Sequence, residues 1–193
     1  IRDGIKLAHV DVNPLAMNEA HPDKAGNEVN FGDESPKNWV GSLDTAFALI
    51  EEALPSLYEE MKVVLRTIVP VGVDQHQHLS ASYQEVIGSI YLSLHPNPMT
   101  MAEALIHELS HTKLNTLANF DPILANAFAP LFPSPYRPDP RPLHGILLGV
   151  HAFLPVERFY DRLTELGHQT SSTQSFSERR RDIREKNRAA SET

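Results

Sequence analysis

Ile87-Gly88-Ser89-Ile90-Tyr91-Leu92-Ser93-Leu94, followed by His95-Pro96-Asn97-Pro98 and then by a run carrying His107-Glu108-Leu109-Ser110-His111, is the stretch whose reading decides the fold. In residues 85–94 Val86, Ile90, Leu92 and Leu94 alternate with Ile87, Ser89, Tyr91 and Ser93, and β-branched residues flank Gly88, as a strand favours. Asn97-Pro98 breaks the chain. Thr100 and Glu103 then fit a capping box, and Ala102, Leu105, Ile106, Leu109, Leu114 and Leu117 recur at helical spacing. The stretch therefore reads as strand, tight turn, helix. Histidines four apart share one face of a helix, so His107 and His111 can both reach one metal ion. The Glu108 carboxylate is then held near whatever that metal binds. H-E-x-x-H fixes only three positions, and the competing reading is a helix that carries two histidines and no metal.

The chain has 193 residues, enough for one domain with a real core. Hydrophobic content of 41% and charged content of 22% suit a soluble globular protein. A formal net charge of −8 speaks against general nucleic-acid binding. Arg179-Arg180-Arg181 is the strongly basic run, and it reads as a solvated segment of a polar tail. Cysteine is absent, which excludes disulfides, thiolate zinc sites and a cysteine nucleophile, and fits a cytoplasmic protein. No apolar run approaches the roughly 18 residues of a membrane span, and no signal peptide is visible. The chain begins at Ile1 rather than Met, as a piece of a longer chain would.

Outward from the motif, residues 1–41 read as a loop-rich N-terminal segment with one short strand at 5–10. Residues 42–166 read as the metal-binding catalytic domain. Within it 42–67 is a helix that Pro55 kinks or splits, and 68–73 is a strand in which Pro70 suits an edge or a start. Residues 120–131 read as a further helix begun by Asp121-Pro122. Five prolines make 132–142 an extended loop, and 143–166 is a long helix kinked at Pro155. Residues 167–193 form a polar, charged C-terminal tail that is helical or disordered. The fold class expected is α+β, mainly helical with a small sheet, the H-E-x-x-H helix packing on the second long helix around a metal.

A catalytic metal usually takes three protein ligands. His144 and His151 share a face but stand roughly 10 Å apart by helical rise, so they cannot both bind one ion. His151, among Val150, Ala152 and Phe153, is the favoured third ligand because an unpaired imidazole is costly to bury there. His144 is second and Glu157 third. Gly145 and Gly149 would let another helix come close. His76 and His78 are weaker candidates for lining the site, and His9, His21, His95 and His168 read as loop residues.

Two chemistries fit the motif. In a zinc peptidase the metal acidifies a bound water and Glu108 takes its proton. The 87–94 strand could then pair with an extended peptide substrate. With ferrous iron, three protein ligands leave positions open for 2-oxoglutarate and O₂. The distal carboxylate of 2-oxoglutarate needs a cation, and Arg137 and Arg141 beside the proline-rich loop are the candidates. Neither a glycine after His111 nor a third motif histidine is present, which departs from metzincin peptidases.

Ile87–Leu94 with Ala102–Leu114, and the later Arg141-Pro142-Leu143-His144-Gly145 and Gly149-Val150-His151-Ala152-Phe153, resemble the HExxH-type 2-oxoglutarate-dependent peptide β-hydroxylases, enzymes that tailor ribosomally made peptides. The resemblance spans roughly residues 42–165. It implies Fe(II), 2-oxoglutarate and hydroxylation of the β-carbon of a residue in a ribosomal precursor peptide; in that reading Glu108 is not needed as a base, and the sequence leaves it open as a partner of the ligands or as a ligand itself. The sequence leaves the oligomeric state, the peptide and the third ligand open.

Overall fold

Ser35-Pro36 begins the first long helix: the Ser35 side chain accepts the Asn38 N–H, and Pro36 takes the first helical position. The structure, a computed structural model, describes residues 1–14, 26–76 and 78–192. His21 lies outside them. In chain order the elements are β1 (Lys6–Leu7), α1 (Pro36–Ala53), α2 (Pro55–Val64), β2 (Thr67–Val73), β3 (Ser80–Ala81), β4 (Ser89–Leu94), α3 (Pro98–Phe120), β5 (Leu131–Phe132), β6 (Arg141–Pro142), α4 (Leu143–Glu165) and α5 (Gln174–Ser191). The class is α+β, mainly helical with a small mixed sheet. The chain divides into two compact units, Ile1–Thr112 and Lys113–Thr193.

The first unit holds a four-stranded sheet in the order β1-β2-β4-β3. β1, β2 and β4 are parallel, and β3 pairs antiparallel with β4 through Ser80↔Leu92 and Ala81↔Tyr91. All six residues of β4 are buried, as expected of a strand covered on both faces. β4 is flanked by β2 on one side and, at Tyr91 and Leu92, by the two-residue β3 on the other. The outer strand on that side is β3. Pro70 is not at an edge or start but inside β2. Its missing N–H faces the side where the two-residue β1 has already ended, and its carbonyl accepts the Asn30 N–H.

Helix α1 buries Trp39, Leu43, Ala46, Phe47 and Ile50, one stripe at helical spacing. Each large side chain so buried stabilises the unit by about 1.5–3 kcal/mol. Pro55 splits the expected 42–67 helix, sitting at the first position of α2. Helix α1 also starts six residues earlier than the apolar pattern, because Ser35-Pro36 supplies the start signal. Helix α3 begins at Pro98 rather than at Thr100: Asn97 Oδ1 accepts the Met99 N–H at 2.9 Å and the Asn97 carbonyl accepts the Met101 N–H. The Thr100/Glu103 capping box therefore does not form the start. The first strand is shorter than the expected 5–10.

In the second unit α3 runs on to Phe120, and no helix covers 121–130. Phe120 and Phe128 are 86% and 75% exposed, so the apolar residues there bury little, and Pro122 stops the chain from continuing. Gln174–Ser191 of the polar tail form helix α5. α5 packs on α4 through Phe176, Ile183 and Ala190, with the Phe176 ring 4.7 Å from Tyr160. Arg180 and Arg184 both pair with Asp161 at 2.7 Å, so Arg180 of the 179–181 run joins α5 to α4. Gly149 does admit a close neighbour, the Tyr136 ring rather than a helix. A Cβ there would meet that ring at 2.6 Å. Tyr136 stacks on Phe153 and donates to Asn187 Oδ1.

Gly88 leads into β4 with φ +89, and a Cβ there would lie 2.9 Å from the Val64 carbonyl oxygen. Gly88→Ala is expected to lower stability by about 1–3 kcal/mol in urea unfolding. A loss within error of zero would contradict the strain.

Candidate functional site

His107 and His111 lie on α3 in the first unit, both half-buried, with their Nε2 atoms 2.9 Å apart and their rings nearly perpendicular. The i, i+4 spacing puts them on one face, and Met101, Ala102, Leu105, Ile106 and Leu109 anchor the other side of the helix in the core. Two nitrogens bound to one ion at about 2.1 Å and mutually cis stand close to 3 Å apart, so the pair fits two positions of a metal. The same separation serves a hydrogen bond between a protonated and an unprotonated ring nitrogen.

Glu108 is 3% exposed. Its Oε1 accepts from Ser80 Oγ at 2.7 Å and its Oε2 from Ser82 Oγ at 2.8 Å. Burial pushes its carboxyl up, and the two hydroxyl bonds pull part of the way back. The serines are placed by the sheet. Leu79 donates its N–H to Ser93 Oγ and accepts the Ser93 N–H, each at 2.8 Å, which ties the start of β3 to β4. Sequence reasoning missed Ser80 and Ser82. The alternation Ser80-x-Ser82 was the one available signal, and nothing in it names a partner 26 or 28 residues away.

His151 is half-buried on α4 in the second unit. Among the described residues no group of three or more His, Asp or Glu side chains is gathered as a complete metal site needs. Glu157 is engaged elsewhere: Oε1 pairs with Arg184 and Oε2 accepts from Asn187. His144 packs its ring 5.6 Å from Phe128. Arg137 and Arg141 share Asp139, at 3.4 and 2.9 Å, so each candidate for an anionic ligand already has a carboxylate beside it. An open groove of about 420 Å³ lies at the carboxyl ends of β2 and β4, lined by Ser42, Thr45, Val73, Gln75, Leu94 and His95. None of the motif residues lines it.

His76 is exposed. His78 sits against β4, its Nδ1 3.3 Å from Ser93 Oγ and its ring 6.0 Å from that of His95. Burial first and His95 second push His78 down to about 4, while Glu103 and Asp74 act the other way.

No protein-family model matches the chain, and no curated protein matches it.

The unfolded chain takes up a proton on His78 near the ordinary value of 6.5, while the folded chain refuses it until about 4. The unfolded state therefore binds more protons over that window, so the contribution is complete above it and is lost as the pH falls through it. His78→Asn is expected to flatten the acid limb of stability, measured by urea unfolding across the window. An acid limb identical to that of the parent protein would contradict the assignment.

Proposed function

We propose that this chain is an Fe(II)- and 2-oxoglutarate-dependent oxygenase that hydroxylates the β-carbon of a residue in a ribosomally made peptide. The observation that carries the reading is the state of the motif. His107 and His111 bring their Nε2 atoms to 2.9 Å on one face of the motif helix, while both oxygens of the neighbouring Glu108 are engaged by Ser80 and Ser82. A hydrolase needs that carboxylate at the attacking water, whereas an oxygenase does not. The resemblance of the 87–114 and 141–153 stretches to peptide β-hydroxylases supports the same choice.

When bound, iron with 2-oxoglutarate and O₂ supplies conversion of a C–H to a C–OH, with 2-oxoglutarate leaving as succinate and CO₂. The chain's own residues hold and orient. His107 and His111 furnish two neutral imidazole donors, and His151 is the candidate third. Arg141, or Arg137, is the candidate partner for the distal carboxylate of 2-oxoglutarate, which would compete with Asp139 for the guanidinium. Ser80 and Ser82 keep Glu108 engaged at the motif helix.

Succinate release from 2-oxoglutarate in the presence of Fe(II) and air tests the reading. His111→Ala is expected to abolish it, and Glu108→Gln is expected to keep measurable turnover. Zinc-dependent peptide cleavage that vanishes in Glu108→Gln, with 2-oxoglutarate untouched, would replace the oxygenase by a hydrolase.

A further inference from the structure

The geometry points to Ser80 and Ser82 as positioning residues that keep Glu108 out of the metal's ligand set. The inference rests on the metal-site reading above and deepens it. Glu108 adjoins His107 in sequence, and a carboxylate is a competent donor to a divalent cation. Here each oxygen accepts a hydroxyl at 2.7 or 2.8 Å, and the side chain is 3% exposed. A buried carboxyl that loses its hydrogen-bond donors is left with unsatisfied oxygens, which is costly. The hydroxyls also come from a fixed platform. Ser80 pairs with Leu92 of β4, and Leu79 is bonded to Ser93 through both its N–H and its carbonyl. Held in this way, Glu108 neither takes a position on the ion nor reaches a bound water, and the positions that 2-oxoglutarate requires stay open.

Removing both hydroxyls frees the carboxylate for the ion. Cobalt(II) is the probe, because its visible spectrum changes with its ligands and its binding is read without turnover. The parent protein and Glu108→Gln are expected to bind Co(II) with the same spectrum and closely similar affinity, since Glu108 is not a ligand. Ser80→Ala/Ser82→Ala is expected to shift the spectrum and tighten binding by roughly tenfold, the scale on which groups around metal ligands act. Adding Glu108→Gln to that pair should cancel both changes, and Ser80→Thr/Ser82→Thr should keep the parent spectrum. Where the double alanine variant does not fold, Ser82→Ala, which leaves the paired Ser80 in place, carries the same expectation in smaller measure. A folded serine variant whose Co(II) spectrum and affinity match the parent's would overturn the inference and leave the metal site standing. Absence of Co(II) binding by the parent protein would overturn both.

Discussion

A buried carboxylate on the motif helix constrains everything around it. Glu108 is a buried carboxyl whose oxygens are costly to strip of water unless each is hydrogen-bonded, and leaving one unsatisfied costs on the order of 1–3 kcal/mol. Ser80 and Ser82 meet that demand, and they can do so only if β3 lies beside α3. β3 is two residues long and cannot hold itself in place. It is fixed by Leu79 bonding to Ser93, and Ser93 is fixed because β4 is buried on both faces between β2 and β3. The dependence thus runs from the interior strand to the outer strand to the carboxylate. The helix that carries Glu108 also carries the histidine pair.

Much of this frame was legible in the sequence. β4 announced itself by alternating apolar residues with β-branched residues flanking Gly88, and α3 by apolar residues at helical spacing after a proline turn. Pro55 was expected to break the first helical run and does, because proline cannot donate to the preceding turn. The errors share a physical origin. At the start of α3, Asn97 and Thr100 are both good caps, and the choice fell to Asn97 because Pro98 suits the first helical position. Residues 121–130 have helix-like composition, yet Ile123 and Phe128 stay exposed, and composition does not say whether a partner surface exists. Pro70 was expected at an edge, but a strand can be interior and still have a local stretch without a neighbour.

The site was legible in part. The histidine pair followed from spacing alone, because four residues make one helical turn. The engagement of Glu108 did not, since it depends on a pairing between a two-residue strand and a helix. Glu157 shows the reverse case: acidic residues on a helix attract attention as ligands, but Arg184 and Asn187 on α5 hold this one, and the sequence offered only an ambiguous polar tail where α5 stands.

The central claim is that His107 and His111 hold a ferrous ion in an enzyme that binds 2-oxoglutarate. Anaerobic addition of Fe(II) and then 2-oxoglutarate, followed by visible absorption, tests it most directly. The account predicts a weak charge-transfer band that appears only when both are present and is lost in His107→Ala. A protein that holds zinc tightly, gives no band with Fe(II) and is indifferent to 2-oxoglutarate would contradict it.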